Sequence, residues 1–98
     1  MLCEKCVKEF VLPRLREDDI IILQYLYNNE ITLPQVAKHK NIIENETHLS
    51  RFRNMMALAR LEGYSLIAIQ PWSKASNYYI TEFGTEALTT LSQKLGGE

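Results

Sequence analysis

The sequence lacks the features that mark most enzymes and membrane proteins. Its 98 residues contain no apolar run of the roughly 20 residues needed to cross a bilayer. Charged residues between Glu4 and Glu9 interrupt the N-terminus, so we expect no signal peptide. There is no glycine-rich phosphate loop, and no nucleophile stands at a recognisable spacing from a base. We therefore expect a cytoplasmic protein that is not an enzyme, binds no cofactor and has no membrane partner.

Cysteine is scarce, and the only two lie together as Cys3-x-x-Cys6. A structural zinc ion needs four ligands, and His39 and His48 stand far from this pair without a paired spacing of their own. A redox motif of this kind would follow a strand in a βαβ unit, which the sequence does not contain. We expect free thiols and no resident metal. An intersubunit disulfide and a zinc site shared between two subunits remain open as alternatives.

An excess of positive charge is also absent, because 11 basic residues face 12 acidic ones. This balance argues against a protein that coats nucleic acid without specificity. The charge is unevenly distributed, however, since residues 31–80 hold six basic and three acidic side chains. Any nucleic-acid contact should therefore come from this half. Its basic residues are Lys38, Lys40, Arg51, Arg53, Arg60 and Lys74.

The central segment, residues 47–62, has the apolar periodicity of a helix. One stripe with i, i+3, i+4, i+7 spacing consists of Phe52, Met55, Met56 and Ala59, and we expect it to face the core. The opposite face then presents Thr47, Ser50, Asn54 and Ala57, flanked by Arg51 and Arg53. We expect Asn45 or Thr47 to cap this helix and Gly63 to end it at positive φ.

The predicted outer face has the chemistry of a DNA recognition helix. Asn54 can pair with adenine, and Arg51 or Arg53 can pair with guanine or hold a phosphate. Ser50 and Thr47 suit phosphates or less specific base contacts. An ordinary polar surface helix would have the same pattern, so the segment that follows decides between the two interpretations.

That following segment predicts a β-hairpin. Residues 64–70 form a strand that Pro71 ends, residues 72–77 form a loop carrying Lys74, and residues 78–81 form the returning strand. This hairpin would be the wing of a winged helix, with Lys74 near phosphate or the minor groove. We expect Trp72 to fold back over the core.

The flanking segments complete a helix-turn-helix plan. We predict a first helix over residues 17–29, a short strand at Ile31, a second helix over residues 33–40 with Lys38 and Lys40 outward, and a turn over residues 41–45. A last helix spans residues 82–95. Its apolar stripe either pairs with a second copy or packs on its own domain.

The order of these motifs resembles winged-helix transcriptional regulators of the MarR and PadR type, and is similar to small archaeal and archaeal-virus winged-helix proteins. The resemblance covers about residues 17–95 and is carried by Ile31-Thr32-Leu33, Leu61-Glu62-Gly63-Tyr64 and Tyr79-Ile80-Thr81-Glu82-Phe83-Gly84. Two departures are Ala59, where leucine is usual, and a wing with a single lysine.

The resemblance implies a mainly α fold with a small β hairpin, namely a winged helix-turn-helix with N- and C-terminal flanking helices. We expect one domain over residues 1–98, with an arm (1–16), a winged-helix core (17–81) and a C-terminal helix (82–95). It further implies a homodimer, here expected through the terminal helices, that inserts the central helix into the major groove of double-stranded DNA.

We therefore expect a sequence-specific DNA-binding regulator. Two recognition helices about one DNA turn apart would read a pseudo-palindrome. The alternatives are a winged helix that binds another protein, favoured by the near-neutral charge, and a thiol- or metal-responsive DNA-binding switch at Cys3 and Cys6. The predicted DNA contacts are Thr47, Ser50, Arg51, Arg53, Asn54, Lys38, Lys40 and Lys74.

Overall fold

The computed structural model describes residues 12–96, which form a winged helix-turn-helix. The predicted fold class, mainly α with a small β-sheet, is confirmed. None of the described helices is long and apolar enough to cross a membrane. The elements, in chain order, are α1 (Glu17–Asn28), β1 (Lys38–His39), α2 (Lys40–Thr47), α3 (Arg51–Gly63), β2 (Ile67–Ile69), β3 (Asn77–Ile80) and α4 (Glu82–Gly96).

Helix α1 forms where the sequence predicts it, one residue shorter than expected. Three acidic residues occupy its first turn, near the positive end of the helix dipole. Asp19 also accepts a hydrogen bond from the backbone N–H of Arg16 at 3.0 Å, which satisfies a donor that the helix cannot. Ile22, Leu23 and Leu26 are fully buried and form one wall of the core.

The second helix lies seven residues later than predicted, so the expected helix over residues 33–40 is wrong. Pro34 starts only a single 3₁₀ turn, Pro34–Val36, and the chain then extends into β1. Leu33 and Val36 are exposed, whereas Ile43 of α2 is buried. The Nδ1 atom of His39 caps α2 by accepting from the Asn41 backbone N–H at 3.1 Å. The expected turn at residues 41–45 is therefore helical.

The three short strands form an antiparallel sheet in the order β1-β3-β2. Ile67 pairs with Ile80 and Lys38 with Tyr78, so the predicted wing hairpin is present, with a shorter first strand and a second strand that begins one residue earlier than expected. The predicted strand at Ile31 is replaced by β1, although the Ile31 carbonyl still accepts from the Ile80 N–H at 2.9 Å.

A buried ion pair fixes α3 against α1. Asp19 is fully buried, and the Arg60 guanidinium donates three hydrogen bonds to its carboxylate at 2.9–3.1 Å. The same contact raises the pKa of Arg60. Each of the two charges loses hydration when the protein folds, and the hydrogen bonds to its partner compensate for that loss. This pair sets the rotation of α3 about its own axis.

Helix α4 is joined closely to the segment that leaves α3. The Thr81 hydroxyl accepts from the Gly84 N–H at 3.1 Å, which caps α4, and donates to the Ser65 carbonyl at 2.6 Å. Ala87 and Leu88 are buried in the core, and Phe83 and Leu91 pack against it. The described part of α4 thus packs on its own domain, the second of the two expectations for this helix.

The fold predicts opposite effects for two glycine substitutions. A Cβ atom at Gly84 would overlap the Leu66 carbonyl oxygen and the Ile80 side chain. We expect Gly84→Ala to lower the free energy of unfolding by about 1–3 kcal/mol. At Gly63 a Cβ would meet nothing within 4 Å, and φ is not positive, contrary to the sequence-based expectation. Gly63→Ala should therefore raise stability by about 0.4–1 kcal/mol. Urea unfolding measures the change in the free energy of unfolding for each variant. Equal changes in the two variants would contradict the overlap inferred at Gly84.

The buried ion pair predicts a large cost for removing its negative charge. Asp19→Asn should lower the free energy of unfolding by about 2–3 kcal/mol, below the ~3–5 kcal/mol of fully buried pairs because the guanidinium is partly hydrated. Glu17→Gln removes the same charge from an exposed position in the same turn. This control should stay within about 0.5 kcal/mol of the parent. Urea is the suitable denaturant because it does not screen charges.

Candidate nucleic-acid interface

In helix α3 the face that was predicted to point outward is buried, and the face that was predicted to be buried is exposed. Its buried residues are Asn54, Ala57, Leu58 and Leu61. Phe52, Met55 and Met56 instead lie in solvent, and 66% of Phe52 is exposed. The expected inner stripe is therefore wrong. Both sets of residues have helical spacing, and they differ by a rotation of roughly 200° because each residue turns the helix by about 100°.

Asn54 is a structural residue, not an exposed reader of bases. Only 3% of its surface is accessible, and its Nδ2 donates to the Lys40 carbonyl at 3.2 Å. Within residues 12–96 its Oδ1 atom has no hydrogen-bond partner. The amide ties α3 to the first residue of α2. The predicted pairing of Asn54 with adenine is incompatible with this burial, which follows from the orientation of α3.

In the described residues, the N-terminus of α3 presents the Arg51 side chain to solvent. Ser50 caps the helix, with its Oγ accepting from the Arg53 N–H at 3.2 Å, so the cap is neither Asn45 nor Thr47. Arg51 is the first helical residue, and 86% of its side chain is exposed. Its Nε lies 4.0 Å from a Glu44 carboxylate oxygen, at the outer limit of an ion pair. Arg51 therefore extends from the positive end of the helix dipole into solvent.

Arg53 already has a partner in the protein. Its Nε donates to one oxygen of Asp18 at 3.0 Å, and its Nη2 contacts the other oxygen. These hydrogen bonds are the main reason that the pKa of the Asp18 carboxyl lies below its usual value. Hydrogen bonding to Asp18 likewise raises the pKa of Arg53. Arg53 thus belongs to the contact between α1 and α3.

Lys40 and Arg51 are the two predicted DNA-contacting cations that the structure brings together. Both line a cavity of about 370 Å³ between α2, α3 and β3, with Ser76 and Tyr78 on its far side. Burial raises the pKa of the Tyr78 hydroxyl, and the negative charge of Glu62 adds to this effect. The starts of α2 and α3 thus place two cations in the cavity lining, together with the Glu44 carboxylate of α2.

Asn54 also lines this cavity, from a buried position, whereas the remaining predicted contacts lie apart from it. Lys38 is half-buried in β1, and Lys74 is exposed in the hairpin loop. Thr47 ends α2 instead of starting α3, and its hydroxyl donates to the Ile43 carbonyl at 2.7 Å. The position of Thr47 follows from the later start of both helices, whereas Lys74 lies in the hairpin loop, as predicted.

Trp72 does not fold over the core, contrary to expectation. It lies in the hairpin loop after Pro71, and 62% of its surface is exposed. The loop leaves the sheet at Gln70, whose Nε2 donates to the Pro34 carbonyl at 2.7 Å. The wing is thus anchored at its base and carries an indole ring in solvent.

Cys3 and Cys6 lie outside the described residues, so the thiol and shared-zinc hypotheses stay predictions. In the part of the chain that the structure describes, no group of three or more His, Cys, Asp or Glu side chains could hold a metal ion.

The exposed apolar face of α3 was missed by the sequence analysis. It consists of Phe52, Met55 and Met56, and we refer to it as the α3 apolar face. The signal that could have identified it is the pair Leu58 and Leu61, which form a second helical stripe with Ala57. The seven-residue spacing of Arg53 and Arg60 is a further signal, because it places both on one side of α3, opposite acidic residues of α1.

Comparisons with known proteins identify two relatives. No family model matches the chain. The DNA-binding protein TubR of Priestia megaterium is 30% identical over 80 residues, which is 82% of this chain and 79% of the relative. The solved structure of TubR from Bacillus megaterium pBM400 superposes with a TM-score of 0.78 at 26% identity, covering 96% of this chain and 99% of that chain. Sequence and fold agree over most of both molecules, and the chain therefore belongs to the TubR family.

Proposed function

We propose that the chain is a sequence-specific double-stranded DNA-binding protein that regulates transcription as a homodimer. The observation that carries the proposal is Arg51, which projects from the N-terminus of α3 beside Lys40 in a winged helix-turn-helix. A relative in the same family is named a DNA-binding protein. The proposal includes the finer expectations that it is a regulator of the MarR or PadR type, similar to small archaeal and archaeal-virus winged-helix proteins, and that it acts in the cytoplasm.

The geometry suits the usual approach of a recognition helix to DNA. In helix-turn-helix proteins the N-terminal residues of the second helix contact base edges, and helix N-termini favour phosphate. Arg51 is placed to pair with guanine or with phosphate. Lys40 begins α2, and Lys74 in the hairpin loop adds a third exposed cation. Each phosphate that such a cation neutralises should steepen the dependence of log K on log salt by about 0.9.

The proposed homodimer is best supported by the α3 apolar face. Phe52, Met55 and Met56 share one side of a helix with i, i+3, i+4 spacing, which suits packing against another helix. Within residues 12–96 of a single copy, that face is exposed to solvent. A second copy would cover it through a self-complementary, two-fold contact. Pairing through α4 has weaker support, because Ala87 and Leu88 already pack on their own core.

This interface changes the expected arrangement on DNA. Packed helices lie about 8–10 Å apart, whereas successive half-sites lie roughly 34 Å apart. Two α3 helices in direct contact would therefore both bind in the same stretch of major groove. We accordingly propose closely spaced or overlapping half-sites in place of half-sites one turn apart.

A second function, a winged helix that binds another protein, is favoured by one observation. The exposed apolar residues Leu33, Val36 and Trp72 all lie around the wing, which carries a single lysine. In this alternative the wing and the preceding 3₁₀ turn would meet a protein surface in place of phosphate. Binding of DNA without sequence enrichment would favour it.

The DNA-binding proposal predicts a graded effect of two arginines in the same helical turn. Arg51→Ala should weaken binding to the preferred duplex by about 1–3 kcal/mol, because an exposed guanidinium loses its contact with the DNA. Arg53→Ala removes the same charge and should cost less, because its guanidinium is held by Asp18 in the free protein. Selection from a random duplex pool at two salt concentrations, followed by titration of the enriched duplex, measures both. Equal affinities of parent and Arg51→Ala would contradict the proposed interface.

The dimer proposal predicts dissociation when the α3 apolar face is charged. Met55→Glu should convert a dimer into a monomer in sedimentation equilibrium, because the two-fold contact would bury a carboxylate against the apolar side chains of the second copy. Trp72→Ala removes an equally exposed apolar group elsewhere and should leave the dimer intact. A monomeric parent, or a dimer that survives Met55→Glu, would exclude this interface.

A further inference from the structure

The first turn of α3 contains two arginines in different states. Among the described residues, the ion-pair contact of Arg51 is the 4.0 Å approach to Glu44, whereas Arg53 is held by both carboxylate oxygens of Asp18. The two residues are two positions apart, at the end of the helix that we place against DNA. The charge that α3 presents to DNA is therefore only partly available in the free protein.

The Arg53 contact differs from the other arginine contact between the same two helices. Asp19 is fully buried and Arg60 mostly so, which makes that pair a fixed part of the core. The Arg53 side chain is 54% exposed and that of Asp18 17% exposed, so water reaches this pair. An ion pair with one solvent-exposed partner contributes less than a buried pair such as that of Asp19 and Arg60, so opening the Arg53 pair costs less than opening the buried one.

The chemistry of Asp18 matches that of a DNA phosphate. A carboxylate and a phosphate both offer two oxygens to the planar donors of a guanidinium, and arginine binds either in the same forked geometry. Asp18 therefore occupies the Arg53 donors that a phosphate would use. DNA has the advantage of releasing condensed counterions when a phosphate is neutralised.

We propose that Asp18 competes with the DNA backbone for Arg53, so that the guanidinium leaves Asp18 for a phosphate when the protein binds DNA. The inference rests on the proposed DNA-binding function. In this scheme Asp18 lowers the affinity for any duplex, because each binding event must first break the internal pair. Arg51 takes no part in the exchange.

The test uses the full chain, a labelled random-sequence duplex and a series of salt concentrations. We expect Asp18→Asn to tighten binding roughly two- to five-fold. This range is the ratio of dissociation constants that corresponds to the free energy of a typical surface ion pair. Glu17→Gln removes a charge from the same turn without breaking a hydrogen bond to Arg53, and should tighten binding less. Arg53→Ala should reduce the slope of log K against log salt by about 0.9, because one phosphate contact is lost. In the double variant Asp18→Asn, Arg53→Ala, the tighter binding should disappear.

Three results would overturn the proposal. Binding of Asp18→Asn that is unchanged or weaker would mean that Arg53 serves only to hold α3 on α1. Tighter binding that persists in the double variant would mean that Asp18 acts through its charge on the whole surface. An unchanged slope of log K against log salt for Arg53→Ala would mean that Arg53 does not contact a phosphate. This measurement tests the proposal even if Asp18→Asn does not fold. A parent protein that binds no duplex at low salt would instead refute the proposed function, and the exchange with it.

Discussion

The ion pair between Asp19 and Arg60 is the interaction on which the rest of the structure depends. A buried carboxylate is costly unless it is paired, and Arg60 satisfies it with three hydrogen bonds from the next helix but one. Only one rotation of α3 allows this contact. The same rotation carries Arg53 to Asp18, buries Leu58 and Leu61, and leaves Phe52 in solvent. The outward face of α3 thus follows from the ion pair at its side together with the burial of Leu58 and Leu61.

The sequence predicted the elements whose signals have one interpretation. Helix α1 has an acidic first turn and one apolar face, and the hairpin is delimited by Pro71, so their approximate positions could be read from composition and spacing. The position of α2 could not be read in the same way, because Pro34 suits the start of either an α-helix or a single 3₁₀ turn. Tertiary contacts chose between them, since a short turn lets Lys38 reach β3.

The orientation of α3 could not be predicted from periodicity for a different reason. Two stripes have the same spacing, and the one containing phenylalanine and two methionines is the more apolar in composition. A rule that places the more apolar stripe inside fails here, since the buried stripe includes Asn54. For the candidate site, the cations Arg51 and Lys40 were predicted by residue type, whereas the partner of Arg53 is 35 residues away in sequence. No local pattern contains that information.

The joint between α3 and α4 has a mechanical consequence. Thr81 bridges Ser65 and Gly84, and the lack of a side chain at Gly84 lets the start of α4 lie directly on the Leu66 carbonyl. These contacts restrict bending between the two helices, so α4 and the C-terminal end of α3 should move as one body. The joint is also located at the C-terminal end of α3, about 20 Å along the helix from Arg51. A displacement of α4 would therefore be transmitted along α3 to its N-terminus, without any contact near Arg51.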